Sequence, residues 1–171
     1  MKIIEKILSE NLNKKEKVIV ELLYGCGLRV SELVDLKITD LDMNGKYLRC
    51  IGKGSKERVV YFDARTKLHL QNYLNSRTDD NEALFVSLLE PHNRLEIAGV
   101  EIMLRKLGRS LEINKVHPHK FRRTLATRAI DKGMPIEQVQ KLLGHQKIDT
   151  TMEYAIVDQQ NVKNSHKKYL S

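Results

Sequence analysis

The chain has 171 residues, of which 41% are hydrophobic, and this suits one folded domain with a proper core rather than a disordered segment. Its 30 lysines and arginines outnumber its 22 acidic residues, so the net charge at pH 7 is +8. Such a surplus favours a polyanionic partner such as nucleic acid, although a lysine-rich solvated surface would also explain it. No apolar run approaches the ~18 residues of a membrane span, and the N-terminus lacks the apolar block of a signal peptide, so we expect no membrane association.

In chain order, the first half predicts helices and then a β-hairpin. Helical patterns cover Lys2–Asn11 and about Lys14–Tyr24, and a third helix starts in "LRVSELVDLK" after the Gly25-Cys26-Gly27 break. The segments "KYLRCIG", "KGSK" and "ERVVYF" then predict a strand, a glycine turn and a strand. A further helix is expected at about Asp63–Ser76, and "ALFVS" fits either a third short strand or an extended connection.

The second half is predicted to be helical. The segments "GVEIMLRKLGRSLE" and "KFRRTLATRAIDKG" have helical periodicity, and Pro135 suits the first helical position of "PIEQVQKLLG". The run Thr150-Thr151-Met152-Glu153 fits a capping box, which predicts a short helix that begins at Thr150 and carries Tyr154 in its first turn. The fold class is therefore mainly α with a small antiparallel β-sheet (α+β), in a single domain over residues 1–171.

Two cysteines bear on the cellular compartment. Cys26 and Cys50 lie in apolar surroundings and lack metal-ligand spacing, so we interpret them as reduced core thiols of a cytoplasmic protein. The sequence has no acidic cluster suited to magnesium and no Cys/His quartet suited to zinc. We therefore expect no metal site.

Arg29 is the first candidate site residue. It follows a Gly-Cys-Gly-Leu break at the start of a helix, and Glu32 is close enough in sequence to pair with it on the same face. Taken alone, the pattern is more typical of a simple surface ion pair.

Lys53 is the second candidate, and it lies at the tip of the hairpin. The flanking Gly52 and Gly54 let the backbone turn and approach a ligand closely. A solvated turn lysine is the simpler interpretation, but Lys56 and Arg58 make the hairpin basic in either case.

The segment "HPHKFRRTLATRA" is more informative. Pro118 ends any preceding helix, and His119 and Arg122 are three residues apart, so both project from one face of the new helix near its N-terminus. An imidazole and a guanidinium in that place form a site suited to phosphate. The expected buried stripe of this helix consists of Phe121, Leu125, Ala129 and Ile130.

His145 and Tyr154 complete the set of candidates, one on each side of the turn after Gly144. Like the others, they fall near breaks and helix starts, where side chains can converge. Two arginines, a lysine and two histidines around a hydroxyl nucleophile suit phosphoryl transfer without a metal, with catalysis by positioning and charge stabilisation.

At these residues the sequence resembles the tyrosine recombinase (phage integrase) family, and specifically its C-terminal catalytic domain. The resemblance rests on four segments in the family's order and spacing: "YGCGLRVSEL", "IGKGSKERVV", "HPHKFRRTLATRAI" and "LLGHQKIDTTMEYA". It implies an enzyme that cuts one strand of double-stranded DNA to a 3′-phosphotyrosine with a free 5′-hydroxyl and then rejoins it. No metal, nucleotide or small-molecule substrate takes part in that chemistry.

The resemblance also implies a role for each candidate residue. Arg29 corresponds to the first catalytic arginine, and Lys53 to the hairpin lysine. His119 and Arg122 correspond to the His-x-x-Arg pair, His145 to the last histidine, and Tyr154 to the nucleophile. Many members have Leu and His on either side of the second arginine, where this chain has Phe121 and Arg123; Phe keeps the core role and Arg adds positive charge.

The resemblance further predicts how the chain is organised. Family members usually carry an N-terminal helical clamp domain, whereas Met1 leads here almost directly into the catalytic domain, so we expect either an excised fragment or a protein that lacks the clamp. The tail over residues 158–171, with Val162 and Leu170, is expected to dock on a neighbouring subunit of a homo-oligomer, a tetramer on DNA.

Two rival interpretations remain open on the sequence. The segment "PIEQVQKLLGHQKIDTTMEYA" has the layout of a helix-turn-helix regulator, but its second helix carries Asp149 and Glu153 and no basic residue, which suits DNA reading badly. A type IB topoisomerase-like enzyme would share the chemistry and yield relaxed DNA rather than exchanged strands.

Overall fold

The computed structural model describes residues 2–153 and 159–170. Within these ranges the chain is mostly helical, with one small antiparallel sheet, which confirms the predicted fold class. The helices are α1 Lys2–Ser9, α2 Lys14–Gly25, α3 Val30–Asp35, α4 Ala64–Asn75, α5 Ile97–Ser110, α6 Pro118–Asp131, α7 Ile136–Leu143, α8 Ile148–Met152 and α9 Gln159–Tyr169, and the strands are β1 Leu41–Asp42, β2 Tyr47–Ile51 and β3 Glu57–Tyr61.

Helix α2 lies at the centre of the main core. It begins in a capping box formed by Asn13 and Glu16, whose side chains satisfy backbone N–H groups that the first turn leaves without helical partners. An unbroken buried run from Val18 to Leu23 then packs against α4 and α6. This helix ends at Gly25, and the buried residues 26–28 lead directly from it to Arg29 of the candidate site.

The sheet has the predicted hairpin and an unpredicted third strand. Strands β2 and β3 pair in register, with Cys50 opposite Arg58, and β1 pairs with the other edge of β2. The "ALFVS" segment forms an extended connection, held by isolated bridges such as the one between Lys37 and Ala83. The inward face of β2 is buried, and this face carries Cys50.

Both cysteines are unpaired and buried, as predicted. Burial raises the pKa of the Cys26 thiol to about 12 and that of Cys50 to about 11, so neither is a reactive thiolate at neutral pH.

A smaller apolar cluster joins α6 to α7. Ala126, Val139 and Leu143 are buried there, with Leu125 and two other residues of α6 partly buried beside them. The predicted stripe of α6 was therefore correct only in part: Phe121 is buried, but the fully buried alanine is Ala126.

Two predicted helix starts were wrong. Pro135 has a ψ of 139°, which is extended rather than helical, so it is the N-cap residue of α7 and not its first helical residue. Helix α8 begins at Ile148, so Thr150 lies inside the helix and does not cap it. The short turn after Gly144 needs only three residues, and α8 therefore starts earlier than the capping pattern indicated.

Candidate active site

Arg122 is the most buried of the candidate side chains. It projects from the second turn of α6 toward the core, and only 4% of its surface is exposed. Its guanidinium donates hydrogen bonds to the carbonyl oxygens of Gly27 and Leu143. The group is thus held by the backbone after α2 on one side and by the end of α7 on the other.

Arg29 is the N-cap residue of α3, and it makes the predicted pair with Glu32. Its Nη1 donates to Glu32 Oε1 over 3.0 Å, and its backbone N–H donates to Oε2 over 2.7 Å. Glu32 is buried, so this is no ordinary surface ion pair. Arg29 Nη2 also donates to the carbonyl oxygen of Gly144 over 3.3 Å.

Arg58 on β3 completes a group of three arginines that the sequence alone did not indicate. Its Nε donates to the carbonyl oxygen of Leu142 over 3.2 Å, and its two other guanidinium nitrogens donate to Glu32. The register of the hairpin explains its position: Arg58 lies opposite Cys50 and therefore shares the buried side of the sheet with it.

These three residues, Arg29, Arg58 and Arg122, are referred to below as the arginine cluster. They donate to three consecutive carbonyl groups, those of Gly144, Leu142 and Leu143 respectively. The last carbonyls of a helix have no partner within the helix and carry partial negative charge, so the end of α7 is a natural acceptor for cations. Gly144 closes this end in the left-handed conformation, with φ of +63°.

His145 follows directly and lies partly buried beside the arginine cluster. Its Nδ1 is 2.8 Å from the hydroxyl of the buried Thr151 on α8. Burial, together with the positive charges of the three arginines, lowers the pKa of His145 to about 4. The imidazole is therefore neutral at pH 7 in the absence of an anion.

Lys53 is exposed at the hairpin tip, and it lines a cavity of about 530 Å3 together with Arg58, His145 and other residues of the α7 end. The Gln146 side chain donates to the carbonyl oxygen of Lys53 over 3.4 Å, which joins the turn after α7 to the hairpin. Lys56 lines the same cavity and is also exposed.

The remaining two candidates are His119 and Tyr154. His119 lies exposed in the first turn of α6, with its ring 6.3 Å from that of His117. Tyr154 lies outside the described residues. Of the two departures from the family pattern, Phe121 is buried in the core and Arg123 is exposed.

Two features are absent from the described part of the chain. No group of three or more His, Cys, Asp or Glu side chains there could hold a metal ion. No helix there is long and apolar enough to cross a membrane.

Solved recombinase structures share the fold of this chain, and this shared fold indicates the class of protein. XerA recombinase superimposes with a TM-score of 0.81 at 29% sequence identity, over 99% of this chain and 62% of that one. The Tn1549 transposon integrase in complex with transposon right end DNA gives a TM-score of 0.80 at 19% identity, over 99% of this chain and 64% of that one, which shows a common fold.

The sequence profile of the phage integrase family matches residues 1–161, and the chain belongs to this family of tyrosine recombinases. Tyrosine recombinase XerC of Staphylococcus aureus is 36% identical over 165 residues, which cover 94% of this chain and 54% of that protein. XerC of Leptospira interrogans is 36% identical over 168 residues, covering 94% and 53% respectively. The chain thus spans little more than half the length of these relatives. The resemblance predicted from the four sequence motifs is confirmed.

Proposed function

We propose that this chain is the catalytic domain of a site-specific DNA recombinase, which cleaves and rejoins strands of double-stranded DNA through a phosphotyrosine. The observation that carries the proposal is the arginine cluster, whose members come from three separate elements and meet beside His145 and the cavity of Lys53. Family membership and the XerC relatives support the same function.

The arginine cluster suits a phosphodiester because it supplies fixed positive charge. The carbonyl contacts of Arg29 and Arg122 set the orientation of each guanidinium before any substrate arrives. Preorganised donors of this kind stabilise the charge that develops on the non-bridging oxygens as phosphorus becomes five-coordinate. We assign this role to Arg29 and Arg122.

The proton transfers fall to the remaining candidates. A free tyrosine has a pKa near 10, so only about 0.1% is ionised at pH 7, and Tyr154 needs both a base and a positive field. His119 is the proposed base. The Tyr154 oxygen forms a bond to phosphorus while the bond to the 5′-oxygen breaks, and Lys53 protonates the departing oxygen to give a free 5′-hydroxyl.

His145 acts as a neutral hydrogen-bonding group in this scheme. The bond to Thr151 holds its ring, and the adjacent arginines disfavour its protonated form. A bound phosphate offsets the positive charge of the arginine cluster, so the pKa of His145 should rise when DNA occupies the site.

The nucleophile is tested with a nicked suicide substrate, on which cleavage traps a covalent protein–DNA adduct. Tyr154→Phe should abolish the adduct and leave DNA binding nearly intact. Tyr169→Phe is the matched control, because Tyr169 at the end of α9 is exposed in a basic segment. If the adduct persists in Tyr154→Phe and maps to Tyr169, the assignment is wrong.

The products of the reaction separate a recombinase from its rival. Exchanged strands as products support a recombinase, whereas relaxed DNA alone supports a topoisomerase-like enzyme.

Double-stranded DNA is the proposed partner. The net charge of +8 supports this, and the XerH recombinase, which has the same fold, was solved bound to its difH substrate. Lysines and arginines on phosphates release counterions, so the affinity should fall steeply and linearly on a log–log plot against salt. An affinity that barely changes between low and physiological salt would contradict a nucleic-acid partner.

We also propose that the tail over residues 158–171 joins subunits of a tetramer on DNA. Leu170 is 76% exposed after helix α9, whereas the side chain of Val162 lies outside the described part of the structure. Deletion of the tail should remove higher-order complexes with DNA in sedimentation. Unchanged assembly would contradict this role.

A further inference from the structure

Arg58 differs from the other two members of the arginine cluster because it belongs to the hairpin. Its side chain is only 11% exposed, and the Glu32 carboxylate that accepts from it is 2% exposed. Its hydrogen bonds reach two other elements: Glu32 on α3 and the Leu142 carbonyl at the end of α7. One planar guanidinium therefore joins the sheet to both helices.

The side chain of Arg58 is also closely packed against the end of α7. A Cβ atom placed on Gly144 would lie 3.0 Å from Arg58 Cδ and 3.2 Å from its Nε, so the side chain lies directly on the turn that ends α7. His145 is the next residue. Arg58 is thus fixed against the backbone that carries His145.

Arg58 also lies five positions after Lys53 on the strand that leaves the hairpin tip. Within the turn, Gly52 N–H donates to the Lys56 carbonyl over 2.8 Å, which closes the hairpin on itself. At the tip itself, the exposed Gln146 donates a long hydrogen bond of 3.4 Å to the Lys53 carbonyl. Arg58, at the base of the tip, is the buried and charge-assisted connection.

We propose that Arg58 is a positioning residue for Lys53: its bonds to Glu32 and to the Leu142 carbonyl hold the hairpin so that Lys53 faces the reaction beside His145. This inference rests on the proposed function, in which Lys53 donates the proton to the 5′-oxygen. Arg58 does not itself contact the phosphate in this scheme, because all three of its guanidinium nitrogens already donate, one to the Leu142 carbonyl and two to Glu32.

The test measures single-turnover cleavage in the full chain by Arg58→Ala, Lys53→Ala and the double variant. A misplacement of about 1 Å costs on the order of 100-fold in rate, so Arg58→Ala should slow cleavage by up to that factor with DNA binding unchanged. When one group acts through another, the effects of substituting the two do not add. The double variant should therefore cleave about as slowly as Lys53→Ala alone.

Replacement of the bridging 5′-oxygen with sulfur adds a readout that a merely structural role would not change. A thiolate leaves without a proton, so sulfur should restore the rates of both Lys53→Ala and Arg58→Ala. Arg49→Ala is the matched control, because Arg49 belongs to the same hairpin but is exposed, and its ion pair with the exposed Glu57 spans 4.0 Å. The Arg49→Ala variant should cleave at the parent rate whether the 5′-bridge is oxygen or sulfur.

The outcomes separate the two proposals. If sulfur fails to rescue Lys53→Ala, the proton-donor role of Lys53 is wrong, and the double variant still decides whether Arg58 acts through Lys53. If the two defects multiply in the double variant, or if sulfur rescues Lys53→Ala but not Arg58→Ala, the positioning role is wrong. If Arg58→Ala fails to fold, Arg58→Lys replaces it in this test. The lysine ammonium keeps the positive charge but cannot reproduce the paired N–H donors of the planar guanidinium.

Discussion

The arginine cluster and the proton carriers of the candidate site differ in how firmly the fold holds them. Arg122 and Arg58 are almost fully buried, and their guanidinium groups bond to the backbone of neighbouring elements. Lys53 and His119 are exposed, one in a turn and the other in the first turn of a helix. The site thus has a rigid part and an exposed part.

The difference corresponds to two kinds of chemistry. Charge stabilisation works best when donors are already in place, because no reorganisation is then needed as the reaction proceeds. A proton donor must instead follow an oxygen that moves away from phosphorus, which suits a long side chain on a turn. We therefore expect substitutions in the arginine cluster to alter both stability and cleavage, and substitutions of the proton carriers to alter cleavage alone.

The largest effect is expected for Arg122→Ala. Loss of the side chain leaves the carbonyls of Gly27 and Leu143 without this donor in a buried place, and each such loss costs about 1–3 kcal/mol. The melting temperature should fall by about 5 °C or more, and cleavage should be lost. Arg123→Ala is the control, because Arg123 is the exposed neighbour and should melt like the parent chain. Equal melting temperatures for both variants would contradict a rigid arginine cluster.

Lys53→Ala should have a large effect on rate and none on stability. Removal of a positioned general acid costs about 10²–10⁴-fold, so single-turnover cleavage should slow by that factor while the melting temperature stays within about 1 °C. Lys56→Ala is the matched variant from the same cavity. If only the Lys56 variant is slow and rescued by sulfur in the 5′-bridge, the proton donor is Lys56.

Gly144→Ala tests the contact between Arg58 and the turn that ends α7. The left-handed φ of +63° costs a non-glycine residue roughly 1–2 kcal/mol, and the added Cβ would also press on Arg58. Gly133→Ala controls for the cost of the positive φ alone, because Gly133 has φ of +89° and an added Cβ there would meet nothing within 4 Å. Chemical denaturation should show a larger loss for Gly144→Ala, and cleavage should slow in that variant only. Identical behaviour would mean that Arg58 adjusts freely.

The smallest effect concerns His145 and pH. Because its pKa falls to about 4 in the folded chain, from about 6.5 when unfolded, the neutral form stabilises the fold. This contribution is complete above pH 6.5 and is lost as the pH falls from there toward 4. The ring is only partly buried, so we expect about 1 kcal/mol less stability at pH 5 than at pH 7 from this group. Denaturation of His145→Gln should show a correspondingly flatter profile, with the exposed His119→Gln as control; an unchanged profile would contradict the shift.

The sequence by itself determined the fold class, the family, the hairpin and the pair of Arg29 with Glu32. These depend on local signals: helical periodicity, glycines at turns and residues three apart on one helix. The same local signals misjudged Pro135 and Thr150, because the start of a helix depends on the path by which the chain enters it.

Only the tertiary structure decided that Arg58 joins Arg29 and Arg122 at the end of α7. Each of those contacts links residues far apart in the chain, and a surface arginine and a buried one look the same in a sequence. The burial of Arg122 and the low pKa of His145 follow from the same packing. They depend on which carbonyls and charges the fold brings together, because desolvation and Coulomb interactions act across space rather than along the chain.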